Sequence, residues 1–147
     1  MKTRVLIVDD EKEFTDTLSE RLRTRDYDVT ASYSGKDAVS KIGGYNFDVV
    51  ILDVAMPGMD GIETLREIKR QKPLTEVIML TGNATVETAI EGMKLGAHDY
   101  LMKPCETDDL VSKINRAREK KREQEDRIRE ARVKEIVSSP RAALREE

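Results

Sequence analysis

Three aspartates, a threonine and a lysine carry the chemistry that this sequence can do. Asp9 and Asp10 follow the apolar run Val5-Leu6-Ile7-Val8, Asp53 follows Val49-Val50-Ile51-Leu52, Thr81 follows Val77-Ile78-Met79-Leu80, and Lys103 lies just beyond Asp99-Tyr100-Leu101-Met102. Each polar group thus stands at the exit of a short run of strand-forming residues. Carboxylates gathered in one place repel, so three of them require a compensating cation, and all-oxygen ligation suits a hard ion such as Mg2+. An acidic rim that supports Mg2+, with a lysine and a hydroxyl beside it, is suited to phosphoryl transfer, where catalysis is largely positioning and charge neutralisation. An aspartate can be the nucleophile. Neither glycine-rich nucleotide-binding pattern occurs in the chain, so the phosphate must arrive on another molecule.

Composition narrows the alternatives. The chain has 147 residues, 37% charged and 38% apolar, with 26 Lys+Arg against 29 Asp+Glu and a net charge of -3. That length suits one domain with one core plus a modest appendage, and such a domain buries roughly two thirds of its unfolded surface. The single histidine, His98, excludes Ser-His, Cys-His and polyhistidine metal chemistry. The single cysteine, Cys105, excludes an internal disulfide and a multi-Cys metal site. The longest unbroken apolar stretches run four residues, so no membrane insertion and no secretory signal are expected, and the protein is expected to be cytoplasmic. Residues 1–115 hold 15 basic and 21 acidic side chains, whereas residues 116–147 hold 11 basic and 8 acidic. In the tail, Arg118, Lys121 and Arg122 alternate with Glu119, Glu123, Glu125 and Asp126 at near-helical spacing, which reads as a solvated helix face and not as a direct nucleic-acid patch.

The elements that must position the polar groups follow from periodicity. Three runs are apolar on both alternating faces, as expected of central strands in a parallel sheet covered on both sides, and the runs at residues 28–31 and 99–102 read as strands nearer the edges. Between them lie helical patterns: Phe14, Leu18 and Leu22; Ala38 to Ile42; Ile62, Leu65 and Ile68; and Val86, Ala89, Ile90 and Met93. A last helix begins near Thr107, a suitable N-cap ahead of Asp108 and Asp109, and turns Leu110, Val111 and Ile114 inward; its apolar face stops beyond Ala117. Five β-α repeats imply an α/β, doubly wound, five-stranded parallel sheet with helices on both faces, and such folds bind ligands at the carboxyl ends of the strands. That rule brings Asp9, Asp10, Asp53, Thr81 and Lys103 to one rim.

The motifs Val8-Asp9-Asp10, Leu52-Asp53-Val54-Ala55-Met56-Pro57-Gly58-Met59-Asp60-Gly61, Leu80-Thr81-Gly82 and Gly96-Ala97-His98-Asp99-Tyr100-Leu101-Met102-Lys103-Pro104 resemble the receiver domain of two-component response regulators. The resemblance covers about residues 2–118, with the four motifs in order. It implies a flavodoxin-like sheet of order 2-1-3-4-5. It also implies that Asp53 accepts a phosphoryl group from a phosphohistidine, that Asp10, Asp53 and the Ala55 carbonyl ligate Mg2+, and that Asp9 acts mainly through a metal-bound water. Lys103 and Thr81 are expected to hold phosphoryl oxygens, Tyr100 to be the switch aromatic, and the Lys103-Pro104 bond to be cis. Ala55 and Asn83 match positions that tune phosphoryl lifetime. The partners implied are a sensor histidine kinase or phosphotransfer protein and a downstream protein target.

Residues 1–118 are read as the receiver and 119–147 as a charged helical extension with a mobile end. No effector domain is expected, so output passes through a partner that docks on the face of Val86 to Met93, Tyr100 and the last helix. The extension is expected to form one long helix ending before Ser138, with Ile128, Ala131, Val133, Ile136 and Val137 off a strict heptad. A solvated extension, a short homodimer contact and a docking helix all stay open. Two other functions compete. A haloacid-dehalogenase-type phosphatase needs a second Asp two residues after the nucleophile, where Ala55 stands; a non-phosphorylated adaptor does not require all of Asp9, Asp10, Asp53, Thr81 and Lys103.

Overall fold

The computed structural model of the protein describes residues 2–56, 61–82 and 85–138. Strands and helices alternate: β1 (Arg4–Val8), α1 (Lys12–Thr24), β2 (Asp28–Ser32), α2 (Gly35–Gly44), β3 (Val49–Leu52), α3 (Gly61–Gln71), β4 (Glu76–Thr81), α4 (Val86–Lys94), β5 (Asp99–Met102) and α5 (Thr107–Ser138). All strand pairs are parallel and the order is β2-β1-β3-β4-β5. The doubly wound sheet and its strand order are therefore as the sequence implied.

The strands form because their apolar residues alternate between two covered faces. Val5, Ile7, Val49, Ile51, Ile78 and Leu80 pack under α1 and α5 against Leu18, Leu22, Leu110, Ile114 and Ala117. Leu6, Val8, Val50, Leu52, Val77 and Met79 pack on the other face against Ala38, Ile42, Leu65 and Ile68 of α2 and α3. Truncating a residue such as Ile51 or Leu52 to Ala would cost about 2–5 kcal/mol. Local signals start the helices: the Ser34 side chain accepts from the Asp37 N–H at 3.1 Å to cap α2, and Thr85 with Thr88 forms a reciprocal capping box on α4.

One expectation needs correction. Thr107 lies inside the first turn of α5, whose opening bond runs from the Leu110 N–H to the Glu106 carbonyl, so Thr107 is not the residue before the helix. The periodic apolar residues of α4 divide: Ala89 is buried together with Gly92, while Val86, Ile90 and Met93 are 74%, 50% and 45% exposed, on the face expected to dock a partner. Gly92 sits against the Met79 side chain, where a Cβ would clash with it. The apolar face of α5 ends at Ala117, as expected, and one turn further on Lys121 is buried as well, with Asp48 Oδ1 at 3.1 Å as a partner for its ammonium. The long helix itself runs through Ser138; the end of the tail, residues 139–147, lies outside the described residues.

Candidate functional site

The parallel ladder continues one residue past several strands and so fixes the polar groups in place. Asp9 N–H donates to Ser32 O at 3.1 Å, Asp53 N–H to Val8 O at 2.9 Å, and Lys103 N–H to Thr81 O at 2.9 Å. The ends of β1, β3, β4 and β5 thereby present their side chains at one rim, the carboxyl edge of the sheet. Gly61, the first residue of α3, donates its N–H to Val54 O at 3.2 Å, and a Cβ there would collide with Val54 Cα and Asp53 O. Only glycine lets α3 close this tightly on the turn after Asp53.

Asp9, Asp10 and Asp53 each offer a carboxylate oxygen, all within 4.8 Å of one another. Asp9 and Asp53 are buried, at 2% and 5% exposure, and Asp10 is exposed at the mouth. Each buried carboxylate has one oxygen held by backbone: Asp9 Oδ1 accepts the Glu11 N–H and Asp53 Oδ1 accepts the Ala55 N–H, both at 3.0 Å. The other oxygens face Lys103, whose Nζ is 2.5 Å from Asp9 Oδ2 and 3.6 Å from Asp53 Oδ2. Burial pushes the Asp9 carboxyl above the usual range, and the neighbouring Asp53 charge adds to it against the opposing bond from Lys103. Burial also opposes the charge of Lys103, yet Asp9, Asp53 and Glu11 together hold the ammonium above its ordinary value.

This arrangement fits a divalent cation. Two buried carboxylates and a third at the opening form an all-oxygen set, and their mutual repulsion is only partly relieved by one ammonium. Thr81 is buried at the end of β4, in register with Met102 of β5. The Lys103-Pro104 bond is cis. Tyr100 is not part of this cluster: it is 39% exposed and lines an open apolar cavity of about 450 Å³ with Val86, Ala89, Ile90 and Met93. Ala55 is exposed beside Asp53, and Asn83 lies outside the described residues, as do Pro57, Gly58, Met59 and Asp60. Met56 is buried in the core.

Three contributors escaped the sequence reading. Glu11 Oε1 is a third carboxylate on Lys103, at 3.4 Å. The Phe14 ring lies 4.1 Å from Lys103 Nζ, so the ammonium is held over an aromatic face. Thr15, fully buried, donates its hydroxyl to Asp9 O at 3.0 Å and ties α1 to the acidic turn. The only signal for Glu11 was its place next to the aspartate pair; Phe14 and Thr15 read simply as positions on α1.

Residues 5–115 match the family model for the response regulator receiver domain. The transcriptional regulatory protein ZraR of Salmonella typhimurium is 41% identical over 116 residues, which is 79% of this chain and 26% of that protein. The chain thus spans about a quarter of the length of the curated relatives it matches. Among solved structures, a CheY-like response regulator receiver domain protein from Methanospirillum hungatei superposes with a TM-score of 0.81 at 29% identity, covering 84% of this chain and 99% of the other. The receiver domain of Francisella response regulator 1452 superposes with a TM-score of 0.74 at 34% identity, covering 80% and 98%.

Proposed function

The chain belongs to the response regulator receiver domain family, and from that premise we propose that it is a phosphorylation-operated switch of a two-component relay, with Asp53 as phosphoacceptor. A histidine kinase or phosphotransfer protein supplies the phosphoryl group. An Asp53 carboxylate oxygen attacks phosphorus in line, the new P–O bond forms as the P–N bond to the donor histidine breaks, and the imidazole leaves. Mg2+, bound through Asp10, Asp53 and the Ala55 carbonyl with Asp9 acting through water, would offset the negative charge of carboxylate and phosphate. Lys103 supplies a second positive charge to a phosphoryl oxygen and Thr81 a hydroxyl donor.

The observation that carries this reading is the shared lysine: one ammonium lies between Asp9 and Asp53 with little exposure, and can move to a phosphoryl oxygen without leaving the rim. Phosphorylation adds about -1.5 to -2 charge beside Lys103 and Thr81, favouring any conformer that engages it. The exposed apolar face of Val86, Ile90, Met93 and Tyr100 is the surface through which a protein target reads that change.

Intact mass spectrometry after incubation with a small phosphodonor tests the assignment. Gain of one phosphoryl group with Mg2+, absent in EDTA and in Asp53→Ala, is the expected result. A folded wild-type chain that gains nothing from the donor or from a phosphotransfer protein overturns it in favour of the adaptor.

A further inference from the structure

The opposite edge of the sheet holds a second polar pocket, of about 210 Å³, lined by five basic side chains against two acidic ones. The lining is basic although the whole chain carries a net charge of -3. Arg4 and Asp48 enter from the starts of β1 and β3, and Arg118, Lys121, Arg122 and Glu125 from two turns of α5. Arg118, Lys121 and Arg122 have the spacing that puts side chains on one side of a helix.

The acidic charge of Asp48 is already committed. Its Oδ2 accepts the Arg4 backbone N–H at 2.8 Å and its Oδ1 accepts from Lys121 Nζ at 3.1 Å, so a part-buried ion pair lies in the pocket lining. The Arg4 guanidinium is 5.1 Å from the centroid of the Tyr45 ring, an aromatic contact that positions it without using a carboxylate. Among the described residues, Arg4, Arg118 and Arg122 have no carboxylate partner within ion-pair distance. Lys2 is paired with Asp26 at 3.3 Å, which leaves three guanidinium groups without a carboxylate beside the open cavity, and these suit an anion of more than one charge. Guanidinium forks match phosphate oxygens in bidentate pairs, which a lone carboxylate would not saturate.

We propose that this pocket binds a small molecule bearing a diphosphate group, and that the ligand clamps α5 to the starts of β1 and β3 where the helix leaves the sheet. The site is independent of phosphoryl transfer, since Asp53 stands at the other end of the strands. The test is calorimetric titration of the full chain in EDTA with inorganic phosphate, pyrophosphate and ADP, compared with Arg118→Ala/Arg122→Ala, the single variant Arg122→Glu, and Asp53→Ala. Pyrophosphate and ADP are expected to bind one per chain, about tenfold or more tighter than inorganic phosphate. Both arginine variants should weaken that binding by about tenfold or more, and Asp53→Ala should leave it unchanged. Equal affinity for pyrophosphate and ADP identifies the diphosphate as the whole determinant, and tighter ADP adds a nucleoside contact. The proposal is overturned if neither compound gives saturable heat at millimolar concentration, if Arg122→Glu binds as the wild type does, or if Asp53→Ala abolishes binding.

Discussion

Lys103→Met should reveal how much repulsion the acidic rim contains. The substitution leaves Asp9 and Asp53, whose side chains are 3% and 5% exposed, with no cation between them. With oxygens within 4.8 Å, the repulsion is about 3 kcal/mol at an effective dielectric of ~20. Breaking a buried pair by removing one partner costs about 3–5 kcal/mol. Lys103 keeps some solvent contact, at 12% exposure, which places the loss near the lower end of that range. A loss of about 3 kcal/mol corresponds to a fall of roughly 10 °C in thermal midpoint for a chain of this size. The assay is urea unfolding in EDTA of wild type, Lys103→Met, Asp9→Asn and the double variant. Removing the lysine should cost at least about 1.5 kcal/mol less in the Asp9→Asn background, because a neutral amide does not repel Asp53. Adding Mg2+ should recover part of the loss, roughly 1.4 kcal/mol at ten times its Kd. The sign with pH is also fixed: the Asp9 carboxyl is held above its ordinary value by burial, so it takes up a proton as pH falls and the cost of Lys103→Met shrinks. A Lys103→Met chain within about 0.5 kcal/mol of wild type in EDTA, or equal costs in the two backgrounds, refutes the argument.

Gly61→Ala should lower stability by about 1–3 kcal/mol and reduce phosphoryl uptake, because the added Cβ collides with Val54 Cα and Asp53 O and displaces the turn that carries Asp53, the proposed acceptor; unfolding midpoints and phosphorylation yield check it. His98 is held below its ordinary value by burial, against the pull of Glu76, 3.6 Å away. Its contribution to stability is therefore complete above the unfolded value of about 6.5 and is lost as pH falls towards the folded value, and urea midpoints of His98→Asn should show a flatter decline between about pH 7 and pH 5 than wild type. Ending the chain after Arg127 should change stability by less than about 0.5 kcal/mol, since residues 127–138 are exposed, and a larger change in a denaturation curve would mean that this stretch packs on something.

Much of this architecture was legible in the sequence for a physical reason. A buried parallel strand has apolar residues on both faces, so Val5 to Val8, Val49 to Leu52 and Val77 to Leu80 stand out as unbroken runs, and the first polar residue after each must emerge at the carboxyl edge. That logic found Asp9, Asp53 and Thr81, and the weaker edge run before Lys103 brings the lysine to the same rim. It failed where the deciding partner is far away in the chain. Lys121 looked like one more cation on a solvated helix, and Asp48, 73 residues earlier, with Asn46 beside it, gives its buried ammonium partners. Phe14 looked like part of the apolar side of α1, and its second role depends on Lys103 reaching over it. The apolar residues of α4 had the right period for a buried face. Period alone does not say whether that face meets the sheet or a partner.

The same strand geometry explains why polar networks occupy both edges of the sheet. A strand of four to six buried residues has two ends, and the ladder that carries Asp9 and Asp53 past one edge also begins at the other, where Asp48 N–H donates to Arg4 O at 2.9 Å and Glu76 N–H to Asp48 O at 3.2 Å. At that edge Glu76 is buried with Lys69, His98 and Lys120 around it, and its Oε2 has no hydrogen-bond partner among the described residues. Lys120 and Lys121 are adjacent on α5, so Glu76 and Asp48 hold the helix from two strands at once. α5 is packed by apolar contact only as far as Ala117, and by charge for one turn more. A coupling between the two edges would have to pass along rigid strands or through α5. Ion pairs can be exchanged singly while a packed strand cannot, so the turn of α5 beyond Ala117 is held less firmly than the part that packs on the sheet.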